Sequence, residues 1–202
     1  MIKNIIFDVG KVLIDWNPLN TMKELGFNDD EITQINLAIY ESGAWQEEDR
    51  GLISHEDMYD YLASKCPPLA DKIRLFYDHA TDSVKLMPYT HEWLMSLHKA
   101  GYKLYILSNF GEFAWNRAIS LGAIDFLDMV DGKVVSYEIK HVKPEPEIFK
   151  ELLSRYNLNA DECVFIDDSP VNVSGAIENG IPAIIFTGYE EAIAKLREMG
   201  VN

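Results

Sequence analysis

Three short apolar runs, at residues 2–7, 102–107 and 163–166, each break abruptly into polar residues: Asp8, Ser108-Asn109 and Asp167-Asp168. The runs are rich in β-branched and aromatic residues and are bounded too tightly for buried helices, so they read as strands covered on both faces. A fourth run, at 183–186, follows the Gly180-Ile181-Pro182 break. Between the runs the apolar spacing is that of helices. Thr90 stands as an N-cap for a helix carrying Trp93, Leu94 and Leu97, and Gly101 closes it. Residues 112–121, 147–156, 172–179 and 190–199 continue the pattern, with Ile148, Leu152 and Leu153 forming one stripe. Strands alternating with helices predict an α/β fold, a mostly parallel sheet with helices on both faces.

A parallel sheet places the carboxyl ends of all its strands along one edge, where ligands bind. Topology alone therefore gathers Asp8, Ser108, Asn109, Asp167 and Asp168, although more than a hundred residues separate some of them. Lys143, in the loop segment Lys143-Pro144-Glu145-Pro146 just before a helix, reaches the same edge.

Residues 16–87 follow a different rule. They contain no convincing strand, and their pieces read as helices at 30–40, 54–65 and 69–79. Ser54-His55-Glu56-Asp57 resembles a capping box with Asp in place of Glu, and Cys66-Pro67-Pro68 is a hard stop. The expected organisation is a catalytic core formed by 1–15 and 88–202, with 16–87 as an inserted all-helical cap.

The balance of 33 acidic and 18 basic residues, a net charge of -15, argues against non-specific binding to nucleic acid or to an anionic membrane. It leaves room for a small phosphorylated substrate, because a metal ion and a few local cations invert the sign inside one cleft. The two cysteines, Cys66 and Cys163, have no metal-type spacing, and no apolar run is long enough to span a bilayer. With no signal-peptide layout at the start, the expected location is cytoplasmic, with monomer and homodimer both open.

Taken singly, each polar feature has an ordinary reading. Ser108-Asn109 is turn chemistry after a strand, Lys143 a solvated lysine, and Asp167-Asp168 a cap for the next helix. Together they make a more specific set. Three carboxylates in one cleft repel each other, and a hard divalent cation such as Mg²⁺ removes that penalty through oxygen ligands. The Gly10 backbone carbonyl is a further candidate ligand. Ser108 and the Asn109 N–H suit a phosphoryl oxygen, Lys143 adds a point charge, and a carboxylate such as Asp8 is a known nucleophile toward phosphorus.

The chain resembles the haloacid dehalogenase-like hydrolase superfamily over essentially its whole length. Four segments carry the resemblance: Phe7-Asp8-Val9-Gly10-Lys11-Val12-Leu13, Leu107-Ser108-Asn109, Lys143-Pro144-Glu145-Pro146-Glu147-Ile148-Phe149, and Phe165-Ile166-Asp167-Asp168-Ser169-Pro170-Val171-Asn172. It implies a Rossmann-like core with a helical cap and a Mg²⁺-dependent phosphatase. Asp8 then matches the nucleophile, Ser108 and Lys143 the groups that hold the transferring phosphoryl, and Asp167 and Asp168 the metal-binding acids beside Asp8 and Gly10. Within the superfamily the chain is most similar to sugar-phosphate phosphatases of the bacterial α-glucose-1-phosphate phosphatase kind, which also tend to carry glycine where Gly10 stands. Two other readings go with the pattern: a metal-free 2-haloacid dehalogenase, and a binding or regulatory protein with weak turnover.

The second of these arises at Gly10. Most family phosphatases have an aspartate there as general acid, and losing such a group costs about 10²–10⁴ in rate. Asp15, Glu48 and His141 are candidate substitutes. In the inserted segment, Trp16, Trp45, Glu48 and Arg50 are expected to flank the cleft. Arg50 is a candidate for the substrate phosphate, against a surface pairing with Glu47, Glu48 or Asp49. Trp45 is a candidate for stacking on a sugar, Tyr59 and Tyr61 read as packing, and Asn172 is expected near the metal shell or beside Asp168.

Overall fold

The computed structural model describes residues 1–201, with side chains at all of them except Tyr40 and Glu41. Its strands in chain order are β1 (Asn4–Phe7), β2 (Ile14–Asp15), β3 (Lys85–Leu86), β4 (Lys103–Ser108), β5 (Gly132–Val135), β6 (Cys163–Asp167) and β7 (Ala183–Ile185). Five of them form one sheet in the order β5-β4-β1-β6-β7, and every neighbouring pair is parallel. Phe7 lies in register with Ile106 on one side and Ile166 on the other. This register brings Asp8, Ser108 and Asp167 to one edge.

The strands divide their side chains between two apolar layers, as the period of two requires. Ile5, Phe7, Leu104, Ile106, Val164 and Ile166 pack with Trp93, Leu94, Trp115 and Leu196 from helices Thr90–Lys99, Glu112–Ser120 and Tyr189–Glu198. Ile6, Tyr105, Leu107 and Phe165 pack on the other face with Ile148, Phe149, Leu152 and Ala176 from Pro146–Arg155 and Pro170–Glu178. Nearly all of this is below a tenth exposed, so the sheet is covered on both faces and the fold is Rossmann-like α/β.

The chain leaves the sheet through β2 and returns through β3, which pair antiparallel, Ile14 with Leu86. Between them lie helices Pro18–Glu24, Asp29–Asn36, Ala44–Asp49, His55–Lys65 and Ala70–His79. These helices bury their own cluster, including Met22, Ile35, Met58, Leu62, Ile73 and Phe76, separate from the two sheet layers. The Leu13 carbonyl at the crossing accepts both the Met87 N–H and the Thr90 hydroxyl.

Several local expectations change. Thr90 is not the cap: Tyr89 precedes the helix, and the Thr90 hydroxyl is drawn to Leu13 at 2.6 Å. β5 was not legible because only Val134 and Val135 of its four residues are apolar and buried. β3 was hidden for the same reason, being two residues with only Leu86 apolar. The helix expected over 30–40 is regular only to Asn36 and continues as a wider π turn, Leu37–Glu41. Ser54 does cap its helix by accepting the Asp57 N–H, and it also donates to the Asp57 carboxylate at 2.7 Å. No helix among the described residues is long and apolar enough to cross a membrane.

Candidate active site

Asp8 follows β1 directly, and its N–H bonds the Ile166 carbonyl at 2.9 Å, which continues the sheet ladder one residue further. Its side chain is thereby aimed off the sheet edge while remaining only 8% exposed. Lys143, 2% exposed, donates to Asp8 Oδ1 and to Asp167 Oδ2, each at 2.7 Å. A buried ammonium with two buried carboxylates has a strong reason to exist only if its geometry is fixed. Asn109 fixes it, accepting the Lys143 N–H at 2.7 Å and donating to the Lys143 carbonyl at 3.0 Å. One side chain at the end of β4 thus clamps the loop that delivers the lysine.

Asp167, the last residue of β6, is wholly buried, and both of its oxygens are engaged. Oδ1 accepts from the Ser169 N–H at 2.8 Å and Asn172 Nδ2 at 3.1 Å, and Oδ2 from Lys143 and Asn172. Asn172 therefore orients Asp167, not Asp168. Asp168 is more open and faces Lys11 Nζ at 3.4 Å. Carboxylate oxygens of Asp8, Asp167 and Asp168 lie within 4.8 Å of one another.

The electrostatics match a site built around added positive charge. Burial pushes the Asp8 carboxyl up, Lys143 pulls it back, and Asp167 pushes it up again, leaving it near 7. Burial works against a charged Lys143, but Asp167 and Asp8 outweigh this and hold it above its ordinary value. One buried lysine does not neutralise three clustered acids, so the donor set fits a hard divalent cation. Ser108, fully buried at the end of β4, has a hydroxyl with no hydrogen-bond partner among the described residues. Ser108 does not itself line the cavity above the site; the adjoining Asn109 does.

A cavity of about 200 Å³ opens over these residues. Asp8, Gly10, Asn109, Lys143 and Asp168 form its floor, and Trp16, Trp45, Glu48, Asp49, His55 and Tyr77 reach it from the inserted segment. The aromatic groups interlock: Trp16 with Trp45 at 5.9 Å between centroids, Trp45 edge-on to Tyr77, and His55 stacked between Tyr77 and Phe113. Glu48 is buried beneath them, accepting the Tyr77 hydroxyl and lying 3.4 Å from His55 Nδ1.

Arg50 requires correction. It does not line the cavity. Its guanidinium is held by Glu145, Nη1 to Oε2 at 2.7 Å and Nη2 to Oε1 at 2.6 Å, with Glu47 at 3.4 Å. The fork–fork pair turns the guanidinium to Glu145 and away from the cavity lining. Of the candidate proton donors, Asp15 is exposed on β2, and His141 is turned to Glu145 at 3.2 Å. Neither lines the cavity, whereas Glu48 does. Asp49, His55 and Tyr77 were not singled out in the sequence. The only local hint was the acidic run Glu47-Glu48-Asp49 just ahead of Gly51.

Comparison with known proteins agrees with this construction. The chain is 28% identical over 185 residues to a D-ribitol-5-phosphate phosphatase of Bacteroides thetaiotaomicron, covering 86% of each chain. It is 26% identical over 201 residues to a sesquiterpene phosphatase of Aspergillus oryzae, covering 98% of this chain and 96% of that one. A crystal structure of a HAD-family enzyme from B. thetaiotaomicron in complex with magnesium and inorganic phosphate superposes with a TM-score of 0.71 at 26% identity, covering 91% of this chain and 93% of that one. The model of the haloacid dehalogenase-like hydrolases matches residues 2–180, and the chain belongs to that family.

Proposed function

We propose that the protein is a Mg²⁺-dependent phosphatase that hydrolyses a small phosphomonoester, a sugar or polyol phosphate, through an aspartyl-phosphate on Asp8. One observation carries the reading: Asp8 sits at the mouth of the sheet, bonded by a buried lysine, within reach of two further acids. A metal-free displacement has no use for that concentration of negative charge. The named activities of the two phosphatase relatives, and the magnesium and phosphate held by the structural neighbour, support it.

Asp8 attacks phosphorus with the oxygen that Lys143 does not hold. Lys143 keeps the carboxylate oriented and contributes positive charge beside the transferring group. Asp8 and Asp168, with the Gly10 carbonyl, would hold Mg²⁺, which when bound neutralises phosphoryl oxygens. Asp167 was expected among the ligands. With both oxygens engaged, it orients Lys143 instead. Ser108 and the Asn109 N–H bind the phosphoryl oxygens, and water then releases phosphate from Asp8. The cavity suits a small polyhydroxylated leaving group: aromatic rings face its C–H surfaces, and Glu48 accepts from its hydroxyls.

The test is phosphate release from sugar phosphates, polyol phosphates and p-nitrophenyl phosphate, with and without Mg²⁺, beside Asp8→Asn. Mg²⁺-dependent release that Asp8→Asn abolishes is the expected result. No release from any of them sinks the reading. Activity on 2-haloacids that persists in EDTA reverses it in favour of carbon chemistry.

A further inference from the structure

Transfer of the phosphoryl group to Asp8 expels an alkoxide unless something protonates the leaving oxygen. Gly10 has no side chain to do so. Packing does not impose that glycine: a Cβ there meets no heavy atom within 4 Å, and its φ lies outside the left-handed region. The floor of the site therefore has space beside Gly10 and no carboxylic acid there to protonate the leaving oxygen.

Four carboxylates reach the cavity: Asp8, Glu48, Asp49 and Asp168. Three of them have side-chain partners. Asp8 is bonded to Lys143, Asp168 faces Lys11, and Glu48 accepts from Tyr77 beside His55. Asp49 makes no ion pair among the described residues. Its carboxyl meets the backbone N–H of Gly111 and lies close enough to Lys143 and Asp8 to respond to both charges.

The position of Asp49 is also held from the core. Its backbone carbonyl accepts the Ser136 hydroxyl, and the same hydroxyl oxygen accepts the Phe110 N–H at 2.9 Å. Ser136 stands immediately after β5 and Phe110 shortly after β4. Residue 49 is thus carried by the inserted helices and tied to the sheet edge where Asp8 emerges.

We infer that Asp49 is the general acid and base of the reaction, supplied by the inserted helical segment in place of the side chain absent at Gly10. The inference rests on the phosphatase reading. Asp49 is half-buried at the cavity wall, and burial and then the neighbouring Glu48 charge raise its carboxyl well above the usual carboxylate range, which favours the protonated form that the first step needs. As the bond from phosphorus to the leaving oxygen breaks and the bond to Asp8 forms, that proton passes to the leaving oxygen and yields the free alcohol. Asp49, now a carboxylate, takes a proton from the water that attacks the aspartyl-phosphate. The bond from phosphorus to Asp8 breaks, inorganic phosphate leaves, and both carboxyl groups return to their starting states.

Leaving-group dependence tests this directly. In the wild type, kcat/KM should be nearly flat from p-nitrophenyl phosphate through ribitol 5-phosphate, because a donor serves the poorer leaving groups. Asp49→Asn should lower kcat on ribitol 5-phosphate by about 10²–10⁴-fold. With p-nitrophenyl phosphate, whose leaving group needs no proton, the variant should release one nitrophenolate per site in a burst and then turn over slowly, since water activation is lost. Adding Gly10→Asp to Asp49→Asn should restore turnover of ribitol 5-phosphate at least tenfold. A steep leaving-group dependence in the wild type overturns the proposal without any variant. So does an Asp49→Asn enzyme that keeps ribitol 5-phosphate turnover within threefold, or that slows both substrates equally with no burst. A wild type inactive on every ester, with or without Mg²⁺, is a different failure, that of the phosphatase reading itself.

Discussion

The two walls of the cavity are built by different physics. On the sheet edge, Asp8, Asn109, Lys143 and Asp167 are each held by a bond to another of the group or to nearby backbone, and strand register sets their positions. The opposite wall is made of Trp45, His55, Tyr77 and Glu48 on helices that bury an apolar cluster of their own. The first wall is rigid because it is the end of a covered sheet. The second is positioned by the packing of an inserted segment and by a few polar contacts with the sheet domain. In the proposed reaction the sheet wall carries phosphoryl transfer, and the inserted wall carries proton transfer to the leaving group through Asp49 and the choice of substrate.

The largest effect should come from the sheet wall. Lys143→Ala leaves Asp8 and Asp167 buried without their shared cation, and breaking a buried pair in this way costs about 3–5 kcal/mol. Chemical denaturation at neutral pH should show that loss for the whole molecule, with turnover abolished in what remains folded. A variant as stable as the wild type would mean that the two acids simply take up protons, and the sheet wall would then be less tightly determined than its bonds imply.

Phe76→Ala makes the matching cut on the other side. Phe76 is fully buried in the inserted cluster, and truncating such a ring costs about 3–5 kcal/mol. The loss should be local. Hydrogen exchange should show amides of His55–Lys65 and Ala70–His79 losing protection while β1, β4 and β6 keep theirs. Uniform loss across both regions would break the comparison, since it would make the two walls one cooperative unit.

The same division decides what was legible in the sequence. Asp8, Ser108, Asp167 and Asp168 could be placed together because β-branched runs mark buried strands, and parallel strands share an edge. Lys143 could be added because it precedes a helix that packs on that sheet. Nothing comparable locates residues of the inserted wall. Asp49 depends on Ser136 and Gly111, Glu48 on Tyr77, and no period or spacing connects them. Arg50 was misplaced for the same reason: its partner, Glu145, is 95 residues away, so a guanidinium that looked available for substrate is occupied. Asp167 and Asp168 look alike in the sequence as adjacent acids at a strand end, and only the fold shows that Asp167 is the one bonded to Lys143 and Asn172.

Trp45→Ala probes the inserted wall without touching the reacting atoms. Trp45 packs against Trp16 and Tyr77 and lines the cavity. Its removal should raise KM for a sugar or polyol phosphate about tenfold, consistent with the loss of one aromatic contact, and change kcat little. For p-nitrophenyl phosphate the two parameters should move less. An equal fall in kcat for every ester would mean that Trp45 itself shapes the transition state and does more than hold the substrate.

The smallest effect belongs to an ion pair that joins the two regions. Arg50 comes from the inserted segment and Glu145 from the loop that delivers Lys143. The Arg50 hydrogen bonds hold the Glu145 carboxyl down at about 2, aided by the Val142 N–H and His141 against the cost of burial. A carboxyl depressed in the folded state stabilises it above the ordinary value, and the contribution is lost as pH falls toward the folded one. Glu145 is open to solvent on one side, so screening reduces the pair to about 0.5–1 kcal/mol. Arg50→Gln should be less stable than wild type by that amount at pH 7, and the gap should close steadily as pH falls from about 4.5 toward about 2. It should also shrink in high salt at neutral pH. A gap that persists through both changes would mean that Arg50 acts through the packing of its stem. The two walls would then be joined by apolar contact, and pH would not loosen them.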